Sequence, residues 1–162
     1  MCSSDLFVKR KAIFAVSPAA ACDIRVAGES AKIAFLFTKV GLSGADMGAA
    51  WLLPRIVGYG HATEMLLTGD FVDARRAYEI GLYNRVVPQT QVLPEARTIA
   101  ERLARGPSAA LGVTKQALEA EAALDFEAAL AYEAEVQAQL MQGPNFREAH
   151  EAFRAKRDPK FT

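Results

Sequence analysis

The sequence is poor in cysteine and carries no surplus of either charge. Cys2 and Cys22 are its only two cysteines among 162 residues. They are too few and too close to the N-terminus to staple a fold, and no CxxC or Cys/His cluster offers a zinc site. A reducing compartment such as the cytoplasm is therefore expected. Lys and Arg number 19, as do Asp and Glu, which speaks against a strongly basic nucleic-acid binder and against an acidic disordered tail. No apolar run approaches the roughly 18 to 20 residues that cross a bilayer, so no membrane partner is expected. One stretch imitates a lipoprotein signal, with Lys9, Arg10 and Lys11 before the apolar residues 12–16 and three alanines before Cys22. Its apolar run is shorter than the roughly 7 to 15 residues of a signal core, and Pro18 breaks it. Walker loops, GxGxxG after a strand, HExxH and GxSxG are also missing.

What is present is apolar bulk. Apolar residues make up 51% and charged residues 23% of the chain, while mean hydropathy is +0.06. Such a chain can bury a sizeable core and stay soluble. Tandem repeats are absent. CDIRVA at 22–27 and AFLF at 34–37 read as short strands. Three glycines, a serine and Asp46 make a loop over 40–48, which empties into the apolar helix AAWLLPRIVG, limited or kinked by Pro54. A second helix is expected over 60–67 and a third over 74–80, capped by Asp73 and closed by Gly81. LYNRVVP then reads as a strand ended by Pro88. From Gln91 onward the composition predicts four helices, near 91–104, 108–122, 125–141 and 145–157, separated at Gly106-Pro107 and Gly143-Pro144. In the third of these, Phe126, Leu130, Ala134, Val136 and Leu140 lie on one side, a face that packs either on its own domain or on another subunit.

Few residues suggest chemistry. His61 and His150 are far apart and have no serine or cysteine that suggests a triad, so both read as surface or interface residues. Asp46 lies among small and apolar neighbours ahead of a helix. It is either a proton-transferring carboxylate in a partly dry pocket or the cap of that helix, and spacing alone favours the cap. In FRAKRDPKF, four basic residues, Arg154, Lys156, Arg157 and Lys160, interleave with Phe153 and Phe161 against the single acid Asp158. This segment either holds a phosphate-bearing ligand with an aromatic base stacked nearby or is a solvated helix end with cations on its dipole.

The stretches AACDIRVAGESAKIAF, FTKVGLSGADMG and EAFRAKRDPKF, with LLTGD and the spacing A-x-x-A-x-x-x-GL between them, form a specific set. From about residue 19 to the end, the chain resembles the C-terminal half of the crotonase superfamily, the enoyl-CoA hydratases and isomerases. The resemblance implies an α/β fold, a partial crotonase-like ββα spiral over 19–90, followed by a helical oligomerisation and CoA-contact region over 91–162. It implies acyl-CoA chemistry of the kind found in fatty acid metabolism, with two backbone N–H groups holding the thioester oxygen of an enoyl-CoA substrate. No separate cofactor is implied, since CoA is carried by the substrate. Asp46 falls where related isomerases place a catalytic aspartate, which reverses the order of its two readings. Lys156 would approach CoA phosphates and Phe153 the adenine, in a homo-trimer or hexamer.

Residues 1–18 match nothing expected upstream in that family and are expected to be an atypical start to a naturally longer protein. Positions near Phe14 and at Ser17 correspond to an oxyanion N–H and a carboxylate of the family, and Phe37 stands where hydratases usually carry a second carboxylate. The resemblance thus implies a hydratase relying on Asp46, an enoyl- or dienoyl-CoA isomerase, or a non-catalytic oligomerisation or CoA-binding fragment.

Overall fold

The structure, a computed structural model, describes residues 19–162. Expectations for 1–18, including those at Phe14 and Ser17, lie outside the described residues. The chain divides into two compact units, one ending at Arg97 and the other Thr98–Thr162, with the division inside a helix, Val92–Ala104.

The first unit holds β1 (Val26–Gly28), β2 (Lys32–Ile33), α1 (Ala49–Val57), α2 (Tyr59–Thr68), β3 (Val72–Asp73), α3 (Ala74–Glu79), β4 (Arg85–Val87) and the start of α4 (Val92–Ala104). β1 pairs in parallel with β4, Val26 opposite Arg85 and Gly28 opposite Val87. β2 runs antiparallel to β3, with Ile33 opposite Val72. A parallel pair needs a long crossover, and the loop and α1 to α3 supply it. Ala49, Leu53 and Val57 recur every four residues and form the buried stripe of α1. Small residues on the facing elements, Ala62, Ala74 and Ala77, let the helices approach, and Leu53 and Leu82 are the largest fully buried side chains. Each such leucine contributes about 1.5–3 kcal/mol by leaving water. Burial also pushes the Tyr83 phenol up to about 12, so it stays neutral in the core.

Two strand expectations are corrected. The segment 22–27 is extended only from Val26, because the Arg25 side chain turns back. Its Nε donates to the Leu82 carbonyl at 2.5 Å and its Nη1 to the Cys22 carbonyl. Burial pulls the Arg25 pKa down from its usual value, yet the carbonyls give its donors the partners that burial demands. The run AFLF is also not a strand. Pairing ends at Ile33, Phe35 is buried in the core, and Leu36–Val40 winds into a 3₁₀ turn closed by Gly41 at φ 77°.

The helical expectations hold to within a few residues. Asp73 caps α3, accepting from Arg76 N at 2.8 Å. The second unit contains α5 (Ser108–Ala120), α6 (Phe126–Met141) and α7 (Pro144–Arg154). Asp125 caps α6 through Ala128 N at 2.9 Å, and Pro144 takes the first turn of α7, where its missing N–H costs nothing. On α6, Val136 and Leu140 of the expected face are half-buried, together with Ala129 and Tyr132, whereas Phe126 and Leu130 of that face are 80% and 55% exposed. No helix among the described residues is long and apolar enough to cross a membrane.

Candidate active site

The loop that carries Asp46 is built by its backbone. Leu42 N donates to the Phe37 carbonyl at 2.9 Å, and Ala45 N to Ser43 Oγ at 3.1 Å. Gly44 is buried against the carbonyl of Leu66 in α2, so close that any Cβ there would collide with it. The loop is thereby pinned two residues before Asp46. Two residues beyond Asp46, Gly48 takes the left-handed N-cap position of α1 at φ 84°. Asp46 is therefore not the cap residue that spacing favoured, although its carbonyl accepts from Ala49 N at 2.9 Å.

Between these anchors, Met47 lies at φ 45°. Two successive left-handed residues, one of them not glycine, make a costly turn that persists only where the surroundings fix it. Asp46 is half-buried on this turn. Leu42, Met47 and Trp51 are all more than half exposed nearby in the chain. Arg55 lies over the Trp51 ring, 3.8 Å from its centroid, and donates to the Trp51 carbonyl at 2.9 Å. A carboxylate held by a rigid turn with apolar side chains on either side in sequence can move protons to and from a ligand with little reorganisation.

Phe37, where the resemblance led one to expect a second carboxylate in a hydratase, is half-buried in the 3₁₀ turn. His61 lies 4.0 Å from Glu64 across one turn of α2. Both border a hollow of about 250 Å³ with Thr68, Phe71 and Arg76, a feature that sequence reading missed. His150 is exposed on α7. No group of three or more His, Cys, Asp or Glu able to hold a metal occurs among the described residues.

Phe153 and Lys156 belong to the second unit. Phe153 is 83% exposed at the end of α7. Lys156 lies at φ 52°. Among the described residues, it and Met47 are the non-glycine positions in the left-handed region. Lys156 N donates to the Phe153 carbonyl and Arg157 N to the Ala152 carbonyl, at 3.2 and 3.1 Å. This is a helix C-terminus of the Schellman type, with lysine where glycine is usual. Of the four cations in the segment, Arg157 is committed to Glu148, with Nη1 and Nη2 at 2.6 and 3.0 Å from its two oxygens.

The sequence profile described as Enoyl-CoA hydratase/isomerase matches residues 16–162. A Rhodobacter capsulatus protein named "Probable enoyl-CoA hydratase" is 40% identical over 144 residues, which are 89% of this chain and 56% of that protein. The "1,2-epoxyphenylacetyl-CoA isomerase" of Escherichia coli is 36% identical over 140 residues, 86% of this chain and 53% of its own. Among solved structures, a Streptomyces coelicolor A3(2) protein provisionally named an enoyl-CoA hydratase superposes with a TM-score of 0.86 at 50% identity, covering 89% of this chain and 52% of its own. The chain thus spans about half the length of the relatives it matches.

Proposed function

From the premise that the chain belongs to the enoyl-CoA hydratase/isomerase family, we propose that it forms the C-terminal half of an enoyl-CoA hydratase with Asp46 as its proton-transfer carboxylate. The profile match over 16–162 carries this reading. In it, backbone N–H groups contributed upstream of the described residues hold the thioester oxygen of a 2-enoyl-CoA and stabilise the enolate. Asp46 takes a proton from the attacking water as that oxygen bonds to C3, and the proton is returned to C2. Water is thereby added across the double bond, and the carboxylate ends as it began. Lys156 and Phe153 receive the CoA phosphates and adenine. A trimer or hexamer, with α6 in the contact, completes the reading, and the exposure of Phe126 and Leu130 supports it.

An isomerase is the second reading, favoured by the Escherichia coli relative and by Phe37 at the second carboxylate position. There Asp46 removes a proton from one carbon beside the enolate and returns it to another. A product assay on 2-enoyl- and 3-enoyl-CoA, with this chain alone and joined to the upstream half of the Rhodobacter capsulatus relative, decides between them. A hydratase yields 3-hydroxyacyl-CoA, whereas an isomerase moves only the unsaturation. Asp46→Asn is expected to lower turnover about 10²- to 10⁴-fold with CoA affinity kept. Full turnover in that variant removes Asp46 from the mechanism.

A further inference from the structure

We propose that Glu148 is a positioning residue whose carboxylate locks the C-terminal tail and so holds Lys156 in its left-handed turn, as part of a phosphate-binding device. The inference rests on the CoA reading above, which it deepens by assigning a residue no sequence motif singles out.

The turn at Lys156 is locally unfavourable. For a residue with a Cβ, the left-handed region costs roughly 1–2 kcal/mol, and glycine would remove that cost. Such a conformation persists only when its surroundings determine it. Here they do. Both Glu148 oxygens are engaged by Arg157, the residue after Lys156, in the two-pronged pairing that fixes a guanidinium plane. The same Oε1 accepts from Lys160 N at 2.7 Å. One turn earlier on α7, Asn145 accepts from Thr162 N and donates to the Thr162 carbonyl, both at 3.0 Å. Lys156 thus sits between the helix end and a tail tied down at three later residues.

The clamp leaves the Lys156 ammonium for other work. It commits the guanidinium of Arg157 and the backbone of Lys160 and Thr162, while Phe153 and Lys156 are exposed beside it. An exposed cation and an exposed aromatic ring on a fixed turn suit a phosphate joined to a heteroaromatic base. A floppy tail would have to be ordered on binding, at a cost in affinity.

The test is calorimetric titration with coenzyme A and with pantetheine, its portion that lacks the nucleotide and phosphates. Glu148→Gln and Arg157→Gln are each expected to weaken coenzyme A binding about tenfold and to leave pantetheine binding within about twofold. The double variant should be no weaker than either single one, because both remove the same clamp. Amide exchange at Lys156, Arg157 and Lys160 should accelerate in both. Lys156→Gly, which keeps the turn and removes the ammonium, reports on the underlying reading. If it leaves coenzyme A binding unchanged, the CoA assignment fails and this inference with it. If it weakens binding while Glu148→Gln does not, the CoA assignment stands and the positioning role is overturned. Equal loss of both ligands in Glu148→Gln would mean general damage and would also overturn it.

Discussion

At the residue scale, two backbone strains stand out, and each lies at a residue pair that sequence reading had already connected with chemistry. Met47 follows Asp46, and Lys156 is itself the expected phosphate contact. The carboxylate that braces the second strain is measurable. Hydrogen bonding from Arg157, then from the Lys160 amide, holds Glu148 at about 2, below its usual 4.5. A depressed carboxylate stabilises the fold above its unfolded value and ceases to do so as pH falls through its folded one. The clamp should therefore be fully formed above about pH 4.5 and open toward pH 2. An NMR titration of the Lys160 amide is expected to show that low midpoint, moved upward in Arg157→Gln. An unmoved midpoint would show that the guanidinium does not set it.

At the element scale, most helices were legible because periodicity and capping are local. Asp73 announced α3, and its carboxylate does accept from Arg76 N. Asp73→Ala is expected to cost about 1 kcal/mol, read as a lower denaturation midpoint with an unchanged slope, and Asp73→Asn should restore most of it. No loss in the alanine variant would mean that β3 pairing alone fixes the start of α3. The strands were less legible. Both expected runs are apolar enough for a strand, but a ladder needs a partner, and β2 finds one in β3 over two residues only. Beyond it the buried Phe35 and the glycine at position 41 draw the chain into a turn. On α6 the half-buried side combines Val136 and Leu140 of the expected face with Ala129 and Tyr132, and only packing shows that Phe126 and Leu130 stay in water.

At the scale of the whole molecule, a chain that spans about half its relatives' length carries much large apolar surface in water. Val40, Leu42, Met47, Tyr59 and Leu67 are each at least 60% exposed in the first unit, as is Phe126 in the second. Exposed apolar residues gathered into patches drive association. The chain alone is therefore expected to self-associate with rising concentration, broader than a single trimer, by light scattering. A monodisperse monomer at all concentrations would show that these side chains do not form a contiguous patch. Joining the upstream half of a relative should narrow the distribution toward one oligomer.

Residue order and spacing determined the family, the order of the helices, the cap at Asp73, and the loop that carries Asp46. These are properties of neighbouring residues and of spacing, which survive in a one-dimensional reading. Tertiary structure alone decided that Arg25 reaches Leu82, that Gly44 is pinned on Leu66, that Gly48 rather than Asp46 caps α1, and that Glu148 takes Arg157 and the Lys160 amide. Each depends on which polar group a folded backbone presents at hydrogen-bonding distance. Residues of the right type recur all along the chain, and only packing selects the pair.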